Sequence, residues 1–305
     1  MNLKKMLVFV LSLTLCFAMF STSFADEAAF TGKYIVDVEY VKAHLEDENV
    51  IFIDARGGEG AQSGTLKNAI AISWPELADM TKKPGENGWG HMLSPEELSA
   101  KLSQFGLSKD KEIILFSATN AGWGEDGRIL WELKAAGFTN LKMVDGGIQA
   151  MKNAELPLVA GKEMLDKSND VNASNVVIEA LDYTNSINTD TLTAEKDQYK
   201  IIDSREADEY EGATKFGEAK GGHIPGAVNI PYSTLYKEDG TLKANAELEK
   251  MFTEAGFQKD DAIVTYCTGG IRSAFMQLVM EMCGFKNVKN YEGSYYNWAT
   301  VNPVE

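Results

Sequence analysis

Short apolar runs that each end in a polar turn recur along the chain, alternating with stretches whose apolar residues fall at helical spacing. In the first half, Ile51-Phe52-Ile53 closes on Asp54-Ala55-Arg56; in the second, Ile201-Ile202 closes on Asp203-Ser204-Arg205. The segment from Gly64 to Ile72 is echoed by Gly222-His223-Ile224-Pro225-Gly226-Ala227-Val228-Asn229-Ile230, and the run Glu112-Ile113-Ile114-Leu115-Phe116 by Ala262-Ile263-Val264-Thr265-Tyr266. The helical patterns that follow end at Ala136-Gly137-Phe138 and Cys283-Gly284-Phe285, where glycine supplies a left-handed cap. Val144-Asp145-Gly146-Gly147 and Tyr291-Glu292-Gly293-Ser294 come next. Five landmarks recur in one order, which is the mark of an internal duplication.

Short buried strands alternating with helices predict parallel sheets, because parallel strands need a crossover between them. The expected fold is α/β, with two like domains, each a mainly parallel sheet with helices on both faces. The first covers residues 30–157 and the second residues 175–305. The polar, aperiodic stretch 158–174 is the expected linker. A length of 305 residues and a hydrophobic content of 44% suit two domains with a core each.

Residues 1–25 have the pattern of a secretory signal: Lys4 and Lys5, an apolar run, and Ser23-Phe24-Ala25 as a small-x-small cleavage site. The run is short for a membrane span. The expectation is an exported chain, free of the membrane after cleavage and bound for a periplasm, cell envelope or the medium. Loss of two lysines and no acids takes the net charge from -16 to -18. So acidic a surface repels nucleic acid and anionic lipid, and a small anionic substrate would need a local cradle of donors. Beyond the signal only Cys267 and Cys283 remain, too few for a disulfide framework. With His44, His91 and His223 scattered, neither a metal nor another cofactor is expected.

The two copies differ most after the strand that begins at Ala262. There the chain reads Cys267-Thr268-Gly269-Gly270-Ile271-Arg272-Ser273 before a helical stretch. Ligands of open α/β sheets bind beyond the carboxyl ends of the strands. Two glycines let successive N–H groups converge on one centre, the helix start adds partial positive charge, and Arg272 adds a full one. All three favour a thiolate, so Cys267 is the expected nucleophile. Cys283 lies about ten helical residues further on, roughly 15 Å away, and is read as core.

The paired Asp-x-Arg strands, the segment 222–231 and the cysteine loop together resemble a tandem-domain rhodanese. That resemblance implies a sulfurtransferase carrying a sulfane sulfur as a persulfide on Cys267, with Arg272 beside it. Thr268, Gly269, Gly270, Ile271 and Ser273 form the substrate cradle, and Arg205 assists or serves as a structural partner of Asp203. The implied partners are a small anionic sulfur donor and a cyanide or thiol acceptor. The first domain of such proteins is typically silent, and here Ser117 stands in the cysteine's place, with a loop through Arg128 about three residues longer by count. The loop departs from both thiosulfate-type and mercaptopyruvate-type patterns, and Glu209 replaces an arginine that binds the donor in the family. This points to thiosulfate or polysulfide rather than a carboxylate donor. The alternatives are a non-enzymatic sulfur carrier or binding protein for a partner, with the first domain as an interaction surface, and a phosphatase or arsenate reductase, which the five-residue spacing from Cys267 to Arg272 disfavours. The aromatic residues Tyr295, Tyr296 and Trp298 either wall the pocket or pack in the core. Oligomeric state is not encoded in any motif.

Overall fold

The computed structural model describes residues 28–160 and 174–305. The signal pattern of 1–25 and most of the expected linker lie outside them. In the first domain the elements are β1 (Ile35–Val36), α1 (Val38–Ala43), β2 (Val50–Asp54), α2 (Gly57–Ala61), β3 (Thr65–Leu66), β4 (Ile70–Ala71), α3 (Pro95–Gln104), β5 (Glu112–Phe116), α4 (Glu125–Ala135), β6 (Leu141–Val144), α5 (Gly147–Asn153) and β7 (Leu158–Val159). The second holds β8 (Ser186–Ile187), α6 (Thr189–Glu195), β9 (Lys200–Asp203), α7 (Ala207–Tyr210), β10 (Val228–Asn229), α8 (Asn245–Glu254), β11 (Ala262–Tyr266), α9 (Ile271–Met282), β12 (Asn287–Tyr291) and α10 (Ser294–Val301).

The duplication is visible in the strand order. One sheet runs β1-β6-β5-β2-β4 and the other β8-β12-β11-β9-β10, with every pair parallel. Alternation along the strands feeds two faces. Phe52, Ile114 and Phe116 pack with Val41 and Met151 of α1 and α5, while Ile53, Ile113 and Leu115 pack with Leu98 and Leu102 of α3 and with α4. In the second domain Ile201, Val264 and Tyr266 meet Leu192 and Trp298, and Ile202 and Ile263 meet Leu248, Phe252 and α9.

The duplicated Asp-x-Arg has a local cause. Arg56 folds back on Asp54 (Nη2 to Oδ2, 2.6 Å) and donates to the Gly64 carbonyl at 2.7 Å; Arg205 repeats both bonds with Asp203 (2.6 Å) and Gly222 (2.8 Å). Each arginine ties a strand end to the glycine that opens the next landmark. The linker boundary needs adjustment. Leu158–Val159 pairs antiparallel with Thr65–Leu66, and residues 174–178 run along α3, where Ser174 N–H reaches the Ser103 carbonyl and Val176 and Ile178 are buried.

One apolar cluster runs through both domains, because α4 and α9 pack on each other. From Ile271 to Met280 every residue of α9 is buried, as expected for a helix covered by its own sheet on one side and by a second domain on the other. The close approach is set by Gly127, where a Cβ would fall 2.8 Å from Phe275 Cβ and 2.9 Å from Phe275 Cα. Gly127→Ala is expected to cost about 1–3 kcal/mol through overpacking. Urea unfolding checks this: the midpoint should fall, and an unchanged midpoint would mean that the interface yields without strain.

Candidate active site

Cys267 follows β11 directly and is 1% exposed. The chain turns through Thr268 and Gly269 to Gly270, whose φ of 85° is left-handed and which opens α9. A Cβ on Gly270 would come within 2.8 Å of Arg128 Nη1 and of the Glu292 carbonyl oxygen, so space and conformation both require glycine. The start of α10 pins the loop. Cys267 N–H donates to Ser294 Oγ at 3.1 Å, and the N–H groups of Tyr295 and Tyr296 donate to the carbonyls of Cys267 and Thr268 at 3.0 Å each.

Two groups of the loop are bonded to the sulfur. Gly270 N–H donates to Sγ at 3.1 Å, and the Ser273 hydroxyl sits 3.7 Å from Sγ and 2.7 Å from Asn290 Oδ1. Burial pushes the Cys267 thiol up. The Arg272 charge, the N–H and hydroxyl of Ser273 and the N–H of Gly269 outweigh it, and the thiol ends below its ordinary value. Reactivity toward a sulfur donor should therefore persist to lower pH than an ordinary thiol allows. It should be lost on acidification, as the thiolate is protonated, with a midpoint below the usual thiol value of about 8.5. A rate profile of single-turnover sulfur loading against pH reads this, and a midpoint at or above the ordinary value would contradict the electropositive cradle.

Arg272 does not stand free. Its Nη1 and Nη2 hold Glu209 Oε2 and Oε1 at 2.8 and 2.9 Å, and Thr268 Oγ1 bridges the pair, 2.8 Å from Nη2 and 2.9 Å from Glu209 Oε1. Burial pushes the Glu209 carboxyl up, but Arg272 and Thr268 bring it below its usual range. The site cation is thus largely neutralised by a buried carboxylate. Glu209→Gln would free it, and the Cys267 midpoint should move further down.

Cys267, Thr268, Gly269, Ile271 and Arg272 line a cleft of about 80 Å³, with Phe216 and Tyr296 of the same domain. Three further walls, Trp74, Trp89 and Trp123, come from the first domain. Gly270 and Ser273 contact the sulfur without lining the cleft. Of the aromatic trio near the C-terminus, Tyr296 walls the cleft, while Tyr295 and Trp298 are core. Arg205, expected as a possible aid to substrate, does not reach the cleft; it is fully buried on Asp203, with its guanidinium 3.8 Å from the centre of the Tyr295 ring. Sequence reasoning missed Phe216 and the three tryptophans. No local motif marks them, since docking of the domains brings them together.

The first-domain counterpart departs from the count made on sequence. Ser117 does follow β5 as Cys267 follows β11. From Ser117 to Arg128 is eleven positions against five from Cys267 to Arg272, six more and not three; measured to the helix caps Gly124 and Gly270 the spans are seven and three, so the loop itself is four residues longer. Counted from those caps, Asp126 and not Arg128 takes the place of Arg272. Burial and then Glu125 push the Asp126 carboxyl up to about 7. This loop offers neither a thiol nor an arginine at the matching positions. Arg128 instead crosses to the second domain, where Nη1 donates to the Gly270 carbonyl at 3.2 Å.

The chain is similar to known proteins over most of its length. The family model described as rhodanese-like domain matches twice, over residues 37–154 and 188–300. A provisionally named thiosulfate sulfurtransferase of Mycolicibacterium smegmatis is 27% identical over 285 residues, covering 89% of this chain and 97% of that one. The 3-mercaptopyruvate sulfurtransferase of Escherichia coli is 26% identical, covering 89% of this chain and 99% of its own. Among solved structures, an anaerobic ergothioneine biosynthesis enzyme of Chlorobium limicola superposes with a TM-score of 0.74 at 18% identity, over 90% of this chain and 70% of that one; the likeness is one of fold.

Proposed function

Since the chain belongs to the rhodanese family and carries its domain twice, we propose that it moves a sulfane sulfur from thiosulfate or polysulfide, through a persulfide on Cys267, to a cyanide or thiol acceptor. The observation that carries this reading is the sulfur of Cys267 held by the Gly270 N–H at 3.1 Å at the floor of an open cleft.

In the first step the Cys267 thiolate attacks the outer sulfur of the donor. The sulfur–sulfur bond of thiosulfate breaks, sulfite leaves with the electron pair, and the enzyme keeps one sulfur. The N–H groups of Gly269, Gly270 and Ser273 converge on Sγ and stabilise it as thiolate, both as attacking and as leaving group. In the second step the acceptor attacks the outer sulfur and Sγ departs as thiolate. Neither step requires a cofactor. The pattern of residues 1–25 supports action outside the cytoplasm.

Steady-state assays of thiocyanate formation from cyanide, run with thiosulfate, polysulfide and mercaptopyruvate in turn, test the reading. Turnover with either of the first two exceeding that with mercaptopyruvate is the expected result. Turnover with mercaptopyruvate alone would overturn the donor assignment.

A further inference from the structure

The cleft above Cys267 has an unusual lining for an anion site. Five aromatic side chains surround it in two walls. Trp74, Trp89 and Tyr296 stand edge to face at 5.9 and 5.1 Å, and Trp123 and Phe216 do so at 5.4 Å. Arg272 is the one cation among the lining residues, and Glu209 already holds it in a two-pronged pair. Behind the Phe216 and Tyr296 wall lies Glu218, 7% exposed. One of its oxygens accepts the Phe216 N–H at 2.9 Å, and the other is buried with no partner among the described residues. The chain as a whole carries a net charge of -16. The donor is met at the loop, where the Gly270 N–H reaches Sγ and Arg272 lies beside it, while above the loop the aromatic faces, with Glu218 behind them and the global field around them, favour a cation on the body of the acceptor.

We infer that the acceptor entering this cleft is a thiol whose body carries a weakly hydrated organic cation, such as a methylated ammonium, held by the aromatic walls formed by both domains. The inference rests on the persulfide reading above and names the substrate class of its second step. Ring faces attract a cation through their negative quadrupole, and the effect grows where water is excluded. The outer sulfur of the Cys267 persulfide projects into the same cleft. The acceptor thiolate attacks it and forms a new sulfur–sulfur bond. The bond to Sγ breaks, its electron pair restores the Cys267 thiolate, and the acceptor leaves as its own persulfide with the proton of the transferred sulfur. One sulfur atom moves, and no external oxidant or reductant is needed. The silent first domain thereby acquires a role in specificity through Trp74, Trp89 and Trp123.

Three thiols of similar size separate the possibilities: thiocholine, its uncharged isostere 3,3-dimethylbutane-1-thiol, and 2-mercaptoethanesulfonate. The full chain is first loaded with thiosulfate or polysulfide and weighed, and the gain of one sulfur establishes the persulfide. Transfer is then followed for each thiol, with saturation referred to thiolate concentration. The expected order is cation, neutral, anion, with KM for thiocholine about tenfold or more below that of the neutral isostere. Tetramethylammonium should compete with thiocholine. In Trp123→Ala, at a side chain that is 48% exposed and so safe for folding, the ratio between cationic and neutral thiols should fall toward one, whatever the absolute rate. A persulfide that forms but passes to all three thiols alike, or to the anion first, overturns the cation inference alone. Failure to form the persulfide overturns both this inference and the reading on which it rests.

Discussion

Cys267→Ser is expected to lower turnover of thiosulfate with cyanide by at least about a thousandfold, the scale seen when a covalent nucleophile is removed from an intact site. The cause is chemical rather than structural. A serine hydroxyl does not ionise near neutrality, and an oxygen has no equivalent of the persulfide. The loop itself should survive the change, because it is pinned through backbone groups: Cys267 N–H on Ser294 Oγ, and the carbonyls of Cys267 and Thr268 on the N–H groups of Tyr295 and Tyr296. Cys283→Ala is the matched control. Burial pushes the Cys283 thiol up to about 12, and it packs in the core at the far end of α9, so its loss should leave turnover within about twofold. Turnover with thiosulfate and cyanide reads both variants. Comparable losses in the two would argue against a single nucleophile.

The second large effect is expected at Arg128. This fully buried guanidinium donates to Glu132 Oε1 at 2.8 Å, to the Gly90 carbonyl at 2.7 Å and to the Gly270 carbonyl at 3.2 Å, and lies 3.7 Å from Glu292. Arg128→Met would leave Glu132 buried without its cation, and breaking a buried pair from one side costs about 3–5 kcal/mol. Glu132 also gives the effect its pH dependence. Burial already pushes its carboxyl up to about 7 with Arg128 present, the charge and hydrogen bond of Arg128 opposing it. Without Arg128 the carboxyl must rise further. A group whose folded value lies above its unfolded one keeps its stabilising contribution below the unfolded value and loses it as pH rises through the folded value. The variant should therefore lie closer to the parent at pH 5 than at pH 8. Urea unfolding at the two pH values measures it, and a deficit that is larger in acid would contradict the assignment. Arg128→Lys keeps the charge but not the fork, and should fall between the two. Because Arg128 also holds the Gly270 carbonyl, both changes should slow sulfur loading as well.

Much of this architecture was legible in the chain itself. Apolar runs ending in Asp-x-Arg mark β2 and β9 because the arginine must fold back on its own strand end, a local requirement that leaves a local signature. The cysteine loop was equally readable, since two glycines and a helix start are what a converging set of N–H groups needs. What the sequence left unseen shares one physical origin, the contact between distant parts of the chain. Glu209, standing where the resembled family has an arginine, folds onto Arg272. Arg128 marked only the end of a longer loop, whereas helix register gives the place of Arg272 to Asp126 and turns Arg128 toward the other domain. Trp74, Trp89 and Trp123 carry no motif. Their positions over Cys267 follow from the packing of α4 on α9, where Gly127 lets Phe275 approach.

The most direct test of the account is the intact mass of the protein after incubation with thiosulfate or polysulfide and removal of excess donor, followed by peptide mapping without reductant. The account predicts a gain of one sulfur atom, located on the peptide that holds Cys267, absent from Cys267→Ser and discharged by cyanide. An unchanged mass with both donors, or a sulfur found on Cys283 instead, would contradict it.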